Sequence, residues 1–212
     1  MLKVDIRNCS YFSSINLIII INLVIFISWA LVNIYNHEFM TEHFLVSWAA
    51  IQEGRWWTLI TSLFSHYNLL HLILNMYVLK EFGDYLELNM GSKKFLVLYL
   101  LAGVISSFSH CLFSRYLLMK PELSALGASG SISGLLTYIA FLNPQKKVYF
   151  LGLIPVPLIY GVGMLVFIDL RGLWGQYQGE MSFIGHGAHL GGCIGGLVFA
   201  IVMKRKLTLL NS

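Results

Sequence analysis

The chain has 212 residues, 57% of them hydrophobic and 11% charged, with a formal net charge of +4 and a mean hydropathy of +0.72. Soluble domains carry about 25% charged residues, so too few charges remain here to cover a water-facing surface, and the composition points to an integral membrane protein. The small net charge gives no ground for a nucleic-acid partner. Cys9, Cys111 and Cys193 are too few and too scattered for a disulfide framework or a zinc ribbon.

Apolar runs near bilayer length predict six helices, at about 14–34, 67–86, 94–113, 125–142, 149–169 and 185–203. The fold class expected is therefore an all-α, six-transmembrane-helix bundle. A short N-terminal segment (1–13) precedes a single membrane domain (14–203), and a basic tail (204–212) follows. The first run follows Lys3 and Arg7, but it is too long for a signal peptide and has no A-x-A-like cleavage site. The loop at about 35–66 carries Trp48, Trp56 and Trp57, which suits a segment lying in the membrane interface. The second helix holds His71 and Asn75, the fourth Ser129 and Ser133, and the sixth His186 and His189. The third and fifth read as cleanly apolar, with Pro155 and Pro157 weakening the start of the fifth.

Lysine and arginine set the expected orientation. Ten of them fall in one set of alternate segments, from Lys3 and Arg7 to the tail Lys204, Arg205 and Lys206. Four fall in the other: Arg55, Arg115, Lys120 and Arg171. Both termini should then be cytoplasmic. The second, fourth and sixth helices would run inward, each carrying its polar residues in its first turns. At 1.5 Å per residue, Ser129 and His189 would share a layer roughly 5–10 Å below the outer helix ends.

A hydroxyl and an imidazole in hydrocarbon suggest a functional site, and here they suit serine hydrolysis. Ser129, between Gly127 and Gly130, offers an approachable hydroxyl at a helix start, where unpaired N–H groups can receive an anion. Imidazole titrates near neutral pH, so His189 is the natural general base. His71 and Asn75, at i and i+4, share a helix face and could donate to an oxyanion. Small-xxx-small faces at Gly130/Gly134 and Gly192/Gly196 would bring the fourth helix against the sixth, and Ser129 toward His189. No zinc-protease motif is present, so no metal or other cofactor is expected. Asp5, Asp84 and Asp169 are the only aspartates, and none falls naturally beside His189. A Ser-His dyad is therefore expected, with His186 read as a wet interfacial histidine.

These residues resemble the rhomboid family of intramembrane serine proteases. The likeness runs from about 53 to 200 through Glu53, Trp57, His66, His71-Leu72-Ile73-Leu74-Asn75-Met76, Phe82-Gly83, Leu86-Glu87, Gly91, Gly127-Ala128-Ser129-Gly130 and Ala188-His189-Leu190-Gly191-Gly192. It implies Ser129 as nucleophile, His189 as base, and His71 and Asn75 in the oxyanion hole. It also implies single-span membrane proteins as substrates, cut near the extracytoplasmic end of their helix. His66 resembles the histidine before the family's second helix, a supporting position. Two positions depart from the pattern. Arg55 precedes Trp56-Trp57, with Thr58 where an arginine is common, and Ser133 stands where an aromatic often stacks under the base. Ser133 is expected to hydrogen-bond the imidazole region instead, or another side chain to support the ring.

The fifth helix, or its outer loop (172–183), is expected to yield and admit a substrate helix sideways. The competing reading is a catalytically inactive rhomboid-like protein that binds membrane helices. A small transporter would show internal repeats, and none is visible. The minimal six-helix layout best fits a bacterial inner (plasma) membrane.

Overall fold

The computed structural model describes residues 13–32, 37–150 and 154–210. Lys3, Arg7 and nearly all of the 1–13 segment therefore lie outside the described residues, as do 33–36 and 211–212. The long helices are α1 (Ser14–Val32), α5 (Leu69–Met90), α6 (Ser92–Leu112), α7 (Ser129–Leu142), α8 (Leu158–Tyr177) and α9 (His186–Leu210). Between α1 and α5 the described residues form the short helices α2 (His37–Phe44), α3 (Trp48–Gln52) and α4 (Thr58–Thr61), the last followed by a 3-10 turn at Ser62–Phe64. Among the described residues, four stretches are long and apolar enough to cross a membrane: Ser14–Leu31, Ser92–Leu117, Leu158–Tyr177 and His186–Lys204. The fold is that of an integral membrane protein.

The outer surface is apolar and the polar groups turn inward. Ile20, Val24 and Ile27 of α1 and Phe167, Ile168 and Leu170 of α8 are exposed, whereas Asn22, Ser106, Ser131 and Asp169 are buried. Hydrocarbon accepts the first set and would leave the second unsatisfied. α5 departs from this pattern in its second half, where Lys80 pairs with Asp84 at 2.9 Å and reaches Asn16 Oδ1 at 3.2 Å. These contacts, with the Ser14 N–H on Glu87 Oε1 at 2.9 Å, tie α1 to α5. Leu79, Phe95, Leu98, Tyr99, Leu135 and Ile139 fill the core between α5, α6 and α7.

The closest backbone-to-backbone approach among the glycines joins α7 to α9. A Cβ on Gly192 would lie 2.0 Å from the Gly130 carbonyl oxygen, and one on Gly196 would lie 2.0 Å from that of Gly134. Only glycine permits such backbone approach, and close packing in lipid draws on van der Waals contact of this kind. The expected pairing of the fourth and sixth helices is observed.

Several boundaries differ from the sequence reading; α5 runs on to Met90 rather than 86, and α9 to Leu210 rather than 203, taking in most of the expected 204–212 tail. The fifth helix begins at Leu158 rather than 149, because Lys147–Phe150 (β1) and Ile154–Pro157 (β2) form an antiparallel hairpin. Pro155 and Pro157 lack the N–H that a helix interior requires, and Pro157 becomes the N-cap of α8 with extended backbone (ψ 132°). α8 then runs on to Tyr177, so the first half of the expected 172–183 loop is helical. The fourth helix begins at Ser129 rather than 125, since Ala125 pairs with Val46 in an isolated bridge. At 14 residues α7 is the shortest of the six, roughly 21 Å long.

Candidate active site

The segment before α7 fixes the position of Ser129. The Gly127 N–H reaches the Ser62 carbonyl at 2.9 Å, and Gly127 adopts φ +120°, a region that glycine tolerates and L side chains rarely adopt. A Cβ there would lie 2.8 Å from the His71 ring. Ala128, the N-cap of α7, has no side-chain cap to offer. The first N–H groups of α7 thus remain open beside Ser129.

The first turn of α9 brings His189 to the same place. Its Nε2 lies 2.9 Å from Ser129 Oγ, a hydrogen-bond distance between side chains 60 residues apart. Both are partly exposed. They line a cavity of about 760 Å³ together with His71 and Asn75. The four residues that the sequence singled out are therefore neighbours.

α5 carries the other two, and Asn68 starts that helix by accepting from the N–H groups of Leu70 and His71 at 2.8 and 3.2 Å. Asn75 is buried and donates to the His71 carbonyl at 2.8 Å. An amide nitrogen carries two N–H groups, so a second remains. His66 lies behind, edge-on to the His71 ring with centroids 4.8 Å apart, and its Nε2 accepts from the Ala128 N–H at 3.4 Å. Burial, and next the His71 ring, lower the His66 imidazole to about 3, which keeps it neutral and able to accept. His66 thus supports the turn into α7.

Three expectations are corrected. Ser133 does not bond the imidazole: its hydroxyl donates to the Ser129 carbonyl at 2.9 Å, the usual i−4 contact of a serine in an apolar helix. His186 is not a wet interfacial residue but buried, with Nδ1 2.8 Å from Asp169 Oδ1 and Nε2 3.2 Å from Ser182 Oγ. An acidic residue does lie beside the proposed base, because Asp169 Oδ1 is also 3.0 Å from His189 Nδ1. The sequence held a coarse signal for the depth of Asp169, though not for its partners. The charge-derived orientation puts residue 169 at the outer end of the fifth helix, within about two turns of the layer expected for Ser129 and His189, but the apolar reading of that helix passed over it.

At the departures in the first loop, Thr58 is buried and donates to the Arg55 carbonyl at 2.7 Å. Arg55 itself pairs with Glu53 at 2.5 Å and reaches the Glu42 carbonyl at 3.3 Å. An arginine still braces this loop, three positions before Thr58.

The chain matches the Rhomboid domain family over residues 53–206. It is 30% identical to RHOMBOID-like protein 12, mitochondrial, of Arabidopsis thaliana, over 89% of the chain and 58% of that protein. It is 33% identical to Presenilin-associated rhomboid-like protein A, mitochondrial, of Danio rerio, over 85% of the chain and 45% of that protein. To Rhomboid protease GluP of Bacillus subtilis it is 31% identical, over 72% of the chain and 27% of that protein. The chain thus spans between about a quarter and three fifths of these relatives. A family match over most of the chain, repeated in relatives from a plant, a fish and a bacterium, means that the chain belongs to the rhomboid family.

Proposed function

We propose that the chain is an intramembrane serine endopeptidase that cleaves single-span membrane proteins near the extracytoplasmic end of their helix. The observation that carries this reading is the 2.9 Å contact between Ser129 Oγ and His189 Nε2 in a cavity. As Oγ bonds to the scissile carbonyl carbon, His189 Nε2 takes the hydroxyl proton. The carbonyl oxygen gains the charge and is held by the open N–H groups of α7, by His71 and by the second N–H of Asn75. When the C–N bond breaks, His189 returns the proton to the departing amine. A water from the cavity then hydrolyses the acyl ester, with His189 as base again, and frees Ser129.

A substrate helix has to unwind to offer a peptide bond, so small or helix-breaking residues near its outer end favour cleavage. Access runs past the loop after α8, where Met181 and Phe183 are exposed. In this reading α5 and α7 cross the membrane with the four apolar stretches named above, making six spans, and both termini face the cytoplasm, as the lysine and arginine distribution favours. The mitochondrial relatives lend no support to a bacterial inner membrane, so the reading commits to a membrane and to no particular one.

The test is cleavage of a panel of fluorescent single-span substrates by the full chain in lipid. Cleavage is expected for the wild type and a loss of about 1,000-fold or more for Ser129→Ala. Binding of the panel without cleavage would favour the inactive, helix-binding alternative.

A further inference from the structure

Asp169 is an ionisable side chain just past the middle of the apolar helix α8, only 3% exposed. Such a group is costly in low dielectric unless it is hydrogen-bonded, and its placement calls for a purpose. Its Oδ1 faces two imidazoles at once, His186 Nδ1 at 2.8 Å and His189 Nδ1 at 3.0 Å. These histidines, at i and i+3, share the face of α9 turned toward α8. Asp169 Oδ2 meets no donor among the described residues.

We propose that Asp169 is the positioning residue for His189, and that His186 and Ser182 hold Asp169 in turn. This rests on the protease reading above and adds what makes its base competent. A carboxylate only accepts, so both facing Nδ1 atoms must carry their protons. His189 then presents a bare Nε2 lone pair to the Ser129 hydroxyl 2.9 Å away. In the other tautomer Nε2 would carry the proton and could not take one from serine, while the Nδ1 lone pair would face a carboxylate oxygen. Asp169 therefore selects the reactive tautomer and fixes the ring plane. When His189 gains the serine proton, the same carboxylate lies against the imidazolium.

The second histidine completes the arrangement. With Nδ1 donating to Asp169, His186 Nε2 is an acceptor, and the Ser182 hydroxyl is the donor at 3.2 Å. Ser182 Oγ accepts in turn from the Ile184 N–H at 3.1 Å. The backbone of α8 is shaped around this ring, since a Cβ on Gly172 would lie 2.2 Å from His186 Nε2. A loop amide, a hydroxyl and an imidazole thus donate in series toward the Asp169 carboxylate, which also accepts from His189. In this protein the support of the base comes from α8, not from position 133 of the serine helix.

The experiment uses the full chain in lipid, wild type and Asp169→Asn, with kcat and KM for a single-span substrate. ¹⁵N-histidine NMR of the wild type follows, with the His189 signal assigned by its loss in His189→Gln. Asp169→Asn is expected to lower kcat about 100-fold or more with KM within about threefold. Gly172→Ala, which crowds the His186 ring, should lower kcat by about tenfold. The wild-type His189 should resonate as the Nδ1–H tautomer. An Asp169→Asn enzyme with kcat within twofold of wild type overturns the proposal, and so does a wild-type His189 in the Nε2–H form. The NMR arm decides if the Asn variant fails to fold. A wild type that neither cleaves nor labels at Ser129 sinks the protease reading as well, whereas an active enzyme indifferent to Asp169 sinks this proposal alone.

Discussion

Single residues here are constrained by what lies within one van der Waals radius of them. Gly127 joins a φ of +120° to a His71 ring 2.8 Å from where a Cβ would stand. Gly127→Ala should therefore cost about 1–3 kcal/mol, read as a lower thermal midpoint, and should depress cleavage by shifting Ser129. Ser133 is a contrasting case. Its hydroxyl serves only its own helix, so Ser133→Ala should leave the cleavage rate within about twofold, and a loss matching that of His189→Ala would contradict this. His71, Asn75, Ser129 and His189 were legible in the sequence because each is a polar side chain in an apolar run, near a helix start, in one predicted layer. Asp169 and His186 were misread because their meaning lies in each other. The distance between Asp169 on one helix and His186 on another cannot be read from either run alone.

At the level of elements, the α7–α9 seam controls the site. Gly130 neighbours the nucleophile, and its carbonyl lies 2.0 Å from where a Gly192 Cβ would be. Gly192→Ala must push the helices apart and should destabilise by about 3 kcal/mol, measured as a drop in thermal midpoint, with cleavage at least about tenfold slower. A variant as stable and active as wild type would mean that the seam does not set the Ser129–His189 distance. The small-residue pattern announced this pairing, because glycine spacing is a local property. The start of α8 was less legible: hydropathy alone ran the helix back to 149, while two prolines and the β1–β2 pairing stop it at Leu158. The late start of α7 is tertiary as well. Ala125 is held by Val46 and Gly127 by Ser62, partners that lie about sixty residues away or more and leave no mark in local periodicity.

For the whole molecule, an apolar exterior surrounds inward-facing polar groups, and the membrane supplies the outer contact that water cannot. The proposed orientation puts both termini on one side, and tags at either end should be cut by protease only after the cytoplasmic face is opened. Protection of one terminus and not the other would contradict the six-span reading. The central claim is a serine hydroxyl activated by an imidazole within the bilayer, and it is tested most directly by fluorophosphonate labelling of the full chain in intact membranes, with the modified residue located by mass spectrometry. The account expects one adduct, on Ser129, absent from Ser129→Ala and reduced about 100-fold or more in His189→Ala. Labelling at any other serine, or labelling of Ser129 indifferent to His189, would contradict it.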